Sequence, residues 1–127
     1  MKKVIHSQDA PAAAGPYSPA LEVGEWIFCS GQIGLDPASG KLVEGGIEPQ
    51  TRRVLQNLRA VLHAAGLGLE DVVKTTIFLA DIGDWATVNR IYGQEMVSPY
   101  PARSTVQVAA LPLGARIEIE AIARHRT

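Results

Sequence analysis

An α+β fold, one mixed β-sheet with two helices packed on one face, is predicted by three features of the 127-residue sequence. Two segments repeat apolar residues at the three-four spacing of amphipathic helices. Several shorter runs are rich in β-branched and aromatic residues, as strands are. Their order is strand, strand, strand, helix, strand, helix, strand, strand, which a helical layer on a single sheet satisfies. The length suits one domain over residues 1–127 around one core.

Val4 and Ile5 suggest a short first strand. From His6 to Pro19 the chain is crowded with Ala, Pro, Gly and Ser, which predicts an ordered loop. Ala20 to Val23 and Trp26 to Ser30 are apolar runs split by Gly24 and Glu25, the spacing of a hairpin. The Asp36-Pro37 and Ser39-Gly40 pairs are turn formers, so a loop follows. From about Ile47 to Ala65, residues Val54, Leu58, Val61, Leu62 and Ala65 share a helical face, with Pro49 in the first turn and Gly66 as a C-terminal cap. Arg52, Arg53, Gln56 and Arg59 of that helix would face water. Val72 to Leu79 reads as a strand. Asp84 is expected to cap a second helix carrying Trp85, Val88, Ile91, Tyr92 and Met96, ended by Pro99 and Pro101.

Arg103 to Ala109 and Arg116 to Ala123 are the last two strands, joined by a Leu-Pro-Leu-Gly turn region. If they form a hairpin about Pro112 to Gly114, Arg103 pairs near Ala123 and Glu118 lies about 15 Å further along the ladder. The sheet face away from the helices would be uncovered and apolar, which predicts self-association into a closed ring.

Composition narrows the function. A formal net charge of −1 and 46% apolar residues exclude a disordered acidic tail and a strongly basic nucleic-acid binder, so no nucleic-acid partner is expected. Cys29 is the only cysteine, which rules out an intrachain disulfide and a zinc site built on several thiolates, and suits a reducing cytosol. No apolar run approaches the roughly 18 residues of a membrane span, and the N-terminal MKKVIHSQDAP has no apolar stretch behind its lysines. The expectation is a cytoplasmic protein with no membrane partner and no targeting segment. His6, His63 and His125 lie on different elements, so no metal is expected. Gly31 and Gly34 do not continue into a phosphate-binding loop, which leaves nucleotide cofactors unindicated.

Few side chains invite chemistry. Cys29 lies within an apolar strand, where a buried, inert thiol is favoured over a nucleophile. Arg103 follows Tyr100-Pro101-Ala102 at a strand start, where its planar fork could hold a carboxylate; a solvated surface arginine fits the same position. Glu118 and Glu120 alternate with Ile117 and Ile119, so both carboxylates leave one strand face, either as an acid/base pair or as a solvated stripe.

Four ordered blocks, APAAAGPYSPA, FCSGQIGLDPASGKLV, VVKTTIFLADIGDWATVNRIY and YPARSTVQVAALPLGARIEIEAIA, cover nearly the whole chain and resemble the reactive-intermediate deaminase (RidA, YjgF-like) family. The resemblance implies a chorismate-mutase-like α+β fold, a homotrimer, and a pocket in each cleft between subunits. It implies that Arg103 holds the substrate carboxylate, that Glu118 activates or positions water, and that Tyr17, Ser30, Gly31 and Asn89 line the same pocket. It further implies hydrolysis of 2-aminoacrylate, 2-iminopropanoate or 2-iminobutanoate to the 2-keto acid and ammonia. On this resemblance neither metal nor organic cofactor is expected, and pyridoxal-phosphate-dependent dehydratases would act upstream. Thr105, counted with the pocket, stands where many relatives carry cysteine. The segment from Glu95 to Tyr100 looks shorter than in typical relatives.

Separation of Arg103 from Glu118 along the expected hairpin leads to the expectation that Arg103 of one subunit meets Glu118 of its neighbour. The alternative function is a non-catalytic trimer that binds small carboxylates in a regulatory or chaperone-like role. An endoribonuclease, also associated with the superfamily, is disfavoured by the slightly negative charge and by the lack of histidine in the pocket blocks.

Overall fold

Gly24, at φ 60°, allows the chain to reverse between Val23 and Trp26 and so closes the predicted hairpin. In the computed structural model, which describes residues 1–126, that hairpin is part of one six-stranded sheet. The strands are β1 (Lys2–Ile5), β2 (Ala20–Val23), β3 (Trp26–Gln32), β4 (Val72–Leu79), β5 (Ala102–Gln107) and β6 (Ile117–Arg124). Helix α1 (Ile47–Ala64) connects β3 to β4, and α2 (Trp85–Glu95) connects β4 to β5. The spatial order is β1-β2-β3-β6-β4-β5, antiparallel throughout except for the parallel pair of β4 and β5.

The predicted hairpin of the last two strands does not form. Strand β6 is inserted between β3 and β4, so Arg103 of β5 pairs with Thr75 of β4 and not with Ala123. The reason is burial: Ile117, Ile119, Ala121 and Ala123 are at most 3% exposed, and such a strand needs hydrogen-bonding neighbours on both edges. Strand β5, with no wholly buried residue, takes the sheet edge instead.

The helices bury their apolar stripes against one face. Val54, Leu58, Val61 and Leu62 of α1 and Val88, Ile91 and Tyr92 of α2 join Ile27, Ile77, Ile117 and Ile119 in a single core. Trp85, expected on the α2 stripe, is instead 48% exposed at its first turn. Helix α1 ends as expected: Gly66 adopts φ 79°, and the backbone N–H groups of Gly66 and Leu67 donate to the carbonyls of His63 and Leu62. Asp84 occupies the N-cap position of α2 as expected, but its side chain makes no capping hydrogen bond. Asp81 instead accepts from the Gly83 N–H, starting a 3₁₀ turn ahead of α2, while the Asp84 carboxylate accepts from Arg116 at 2.7 Å. A guanidinium reaching from the start of β6 has displaced local capping.

The second sheet face is open. Leu21, Phe28 and Ile122 lie in register across β2, β3 and β6, with Val23 and Trp26 in the next row. Val23, Trp26, Phe28 and Val106 are each about 40% exposed or a little more. Among the described residues, no helix is long and apolar enough to cross a membrane.

One buried polar side chain ties the core to the loop after β3. Asn57, fully buried in α1, donates its amide to the carbonyls of Ile33 (3.2 Å) and Leu35 (3.0 Å), and its Oδ1 accepts from Arg53. Removing it takes the partner from the part-buried Leu35 carbonyl, leaves the Ile33 carbonyl only the Leu35 N–H, and deprives Arg53 of its acceptor. Asn57→Leu is expected to lower the unfolding free energy by about 2–4 kcal/mol, measured by urea denaturation. A loss below about 0.5 kcal/mol, the size of an ordinary surface change, would contradict this role.

Candidate active site

Strand alternation sorts the candidate residues onto two sides of the sheet. Thr75, 1% exposed, faces the helices and shares a 2.7 Å hydrogen bond with the Tyr92 hydroxyl. Arg103, its partner in β5, therefore also faces the helix layer, at the sheet edge. Its Nη2 donates to Asn89 Oδ1 at 2.6 Å, and its guanidinium carbon lies 5.0 Å from the centre of the Tyr92 ring. Burial pushes the Tyr92 phenol up, so the ring under the cation stays neutral. Asn89, Tyr92, Gly93, Tyr100, Pro101 and Arg103 line a shallow open cavity. The Tyr100 hydroxyl donates to the Gly93 carbonyl at 3.2 Å, which draws the Glu95 to Tyr100 segment against this cavity. Among the described residues no carboxylate pairs with Arg103. One charged fork is thus held from below and free at its tip.

Glu118 occupies the other side. Its neighbours Ile117 and Ile119 are fully buried under the helices, so alternation sends Glu118 to the open face. It lies opposite a bulge in β3, where the register shifts between Cys29 and Gln32. Gly31 is in that bulge, and a Cβ there would fall 2.4 Å from Glu118 Oε2, so a larger residue would push the Glu118 side chain from its present position. A second cavity, of about 290 Å³, contains Tyr17, Gly31 and Glu118 together with the Ala12 to Ala14 loop and Leu113. Loss of surrounding water raises the Glu118 pKa above its ordinary value, and the Glu120 carboxylate two residues on raises it further.

Ser30 and Thr105 sit differently from expectation. The Ser30 hydroxyl donates to the Ser18 carbonyl at 2.6 Å and its N–H to Pro19, so it anchors the loop that forms the cavity wall. Thr105 shares the helix-facing side with Arg103, but its hydroxyl is buried without a partner and lies outside the lining of the Arg103 cavity. Cys29 is the inert thiol anticipated: burial pushes it up to about 12.

Arg103 and Glu118 cannot serve one small molecule within a protomer. Strand β4 lies between them, and their partners Thr75 and Phe78 are three residues apart, which puts their Cα atoms roughly 14 Å from each other with side chains on opposite faces. The expected separation holds, although by a different strand pairing. Asn89 goes with Arg103; Tyr17 and Gly31 go with Glu118. The bulge and its glycine contact were missed in the sequence, where Gly31 followed by Gln-Ile offered only a faint sign of an irregular strand.

The Glu118 geometry yields a titration test. With Glu120→Gln the like charge disappears, the ionised form of Glu118 is less opposed, and its pKa should fall, as followed by carboxyl carbon NMR. An unmoved titration would mean that the two carboxylates do not interact across the open face.

The endoribonuclease L-PSP family model matches residues 7–125. A human protein named 2-iminobutanoate/2-iminopropanoate deaminase is 53% identical, over 97% of this chain and 90% of its own. The crystal structure of RidA from the Antarctic bacterium Psychrobacter superposes with a TM-score of 0.94 at 44% identity, covering 97% of this chain and 99% of that one. The structure of Escherichia coli TdcF with bound serine superposes with a TM-score of 0.91 at 41% identity, covering 97% and 99%. With family model, sequence and fold in agreement from end to end, the chain belongs to the RidA (YjgF-like) family.

Proposed function

We propose that the protein hydrolyses short imino acids, 2-iminopropanoate and 2-iminobutanoate or their enamine precursor 2-aminoacrylate, to the 2-keto acid and ammonia. The observation that carries this reading is the pair of half-sites: an unpaired guanidinium in one cavity and a desolvated carboxyl in another, on opposite faces of one sheet. The human relative named for this activity, at 53% identity, supports it.

A 2-imino acid carries a carboxylate beside an electrophilic C=N carbon. Arg103, held by Asn89 and Tyr92, offers two parallel N–H donors to that carboxylate and leaves the carbon open. Water adds to the carbon as Glu118 accepts one of its protons. Glu118 passes that proton to the nitrogen, the carbinol hydroxyl then gives up its own proton, which also reaches the nitrogen through Glu118, and the C–N bond breaks as ammonia leaves and the keto carbonyl forms. Desolvation raises the Glu118 pKa, which makes its carboxylate a stronger base toward water than an exposed one, and its acid form then returns the proton. Tyr17 and Gly31 bound the Glu118 side, and Thr105 contributes shape behind Arg103.

Both halves meet when Arg103 of one subunit faces Glu118 of the next. Arg103 and Glu118 lie on opposite faces of the sheet, so a head-to-tail contact brings one to the other, and such contacts can close into rings. The homotrimer that the family resemblance implies is such a ring, and the open face with Trp26, Phe28 and Val106 is the surface it would cover. The lone thiol suits the cytoplasm, where pyridoxal-phosphate-dependent dehydratases would release the substrate.

Bound serine in the TdcF structure favours one second reading, a trimer that binds small carboxylates without turnover. Glu118→Gln separates the two, since only an enzyme loses activity while retaining ligand. The family description also names an endoribonuclease, and RNA binding that weakens with salt would support that activity instead.

The test generates 2-iminobutanoate in situ with an amino-acid oxidase and follows its loss. Arg103→Ala should lower kcat/KM by about 100-fold or more, the scale of losing a charged anchor. Mixing Arg103→Ala with Glu118→Ala chains should restore about a quarter of the clefts if subunits exchange at random around the ring. No recovery in verified mixed rings would remove the shared site.

A further inference from the structure

Leu113 stands at the mouth of the Glu118 cavity in a conformation that its side chain does not favour. It is 70% exposed, and at φ 57° it is the only non-glycine residue with positive φ among the described residues. Glycine takes this backbone without strain, so the leucine is not there for the turn. The turn itself is firmly placed. Ala115, 2% exposed, donates to the Pro112 carbonyl at 3.0 Å, and the Arg116 N–H that follows donates to Gln50 at 2.9 Å. Leu113 is therefore held in place by its neighbours, and it lines the cavity together with Ala12, Ala13 and Ala14. Glu118 is the only charged residue of that lining. An outlying backbone beside a cavity points to a task for the side chain.

The planar C2 carbon of an imino acid has three substituents. In the reading above, Arg103 takes the carboxylate, and Glu118 serves the carbon and nitrogen. The third substituent, the substrate's own side chain, is left to the apolar wall. We propose that Leu113 is a specificity-determining residue, which receives the substrate side chain against the alanine loop and selects uncharged, apolar imino acids over acidic ones. This rests on the imine-hydrolase reading and deepens it. An apolar side chain leaves water on binding there, whereas a side-chain carboxylate would lose its hydration and meet Glu118 with like charge. At about 290 Å³ the cavity lies at the small end of ligand pockets, which suits side chains of a few carbons.

The experiment compares imines generated in situ from alanine, leucine and glutamate, with kcat/KM measured for wild type, Leu113→Gly, Leu113→Met and Leu113→Lys. Leu113→Gly fits the existing backbone, so folding is not at risk. The leucine-to-alanine ratio should fall about tenfold in Leu113→Gly, the effect of losing part of an apolar subsite. It should stay within about twofold of wild type in Leu113→Met, which preserves volume. The glutamate-to-alanine ratio should rise in Leu113→Lys. Equal losses on all three imines, or unchanged ratios in the Gly and Lys variants, would overturn the role of Leu113 while imine hydrolysis by the wild type stands. If the wild type hydrolyses none of the imines, the activity itself is refuted and the specificity role with it.

Discussion

Strand β6 holds both its neighbours by backbone hydrogen bonds and has a side-chain period of two, and the rest of the molecule depends on this combination. One set of its residues, Ile117, Ile119, Ala121 and Ala123, disappears under the helices. The other set, which includes Glu118 and Glu120, must then appear on the open face, whatever those side chains do there. A slip of one residue would bury two carboxylates and expose four apolar groups, so the register that builds the core also presents the acid. Stability and chemistry are set here by one choice of pairing.

The same sheet explains why the basic half-site is built elsewhere. Strand β5 lies at the edge in parallel with β4, and the crossover between them is α2. An arginine near the start of an edge strand can turn its stem along the helix and keep its tip near water, which a central strand would not allow. Asn89 and Tyr92 come from α2 at i and i+3, one helical face, and both touch Arg103. The crossover therefore supplies the support for the cation. Opposite charges that would otherwise pair and neutralise each other are kept apart by a layer of sheet, and each stays available to a ligand.

How much of this was legible in the sequence follows from how local each signal is. The α1 stripe from Val54 to Leu62, its glycine end at Gly66 and the Gly24 hairpin are decided within a few residues, and each was read correctly. The site residues Arg103 and Glu118 stood out by residue type and by alternation. The pairing of β6 was misread because two strands joined by a turn are the simplest hairpin, while insertion between β3 and β4 is rewarded only by contacts remote along the chain, with β4 and, farther still, with β3. Asp84 was placed correctly at the start of α2, but the use of its carboxylate was not legible for the same reason: Arg116, its partner, is remote in sequence. The Gly31 bulge was invisible because the side chain that excludes a Cβ comes from another strand.

What remains is why a chain with so much exposed apolar surface should carry two incomplete sites. A monomer that placed Arg103 beside Glu118 would form an ion pair, and in a partly dry cleft the two would satisfy each other before any substrate arrived. Division between subunits gives another arrangement: each group is oriented by its own protomer before assembly, and the cleft closes around both with the substrate carboxylate as the missing counter-ion. In the proposed ring the apolar face would supply the energy of assembly, and Tyr92 with Asn89 on one side and Gly31 on the other would supply the rigidity. In such a design the interface is part of the catalytic apparatus, because the sheet that separates the two groups within one chain leaves a second chain as the way to bring them together.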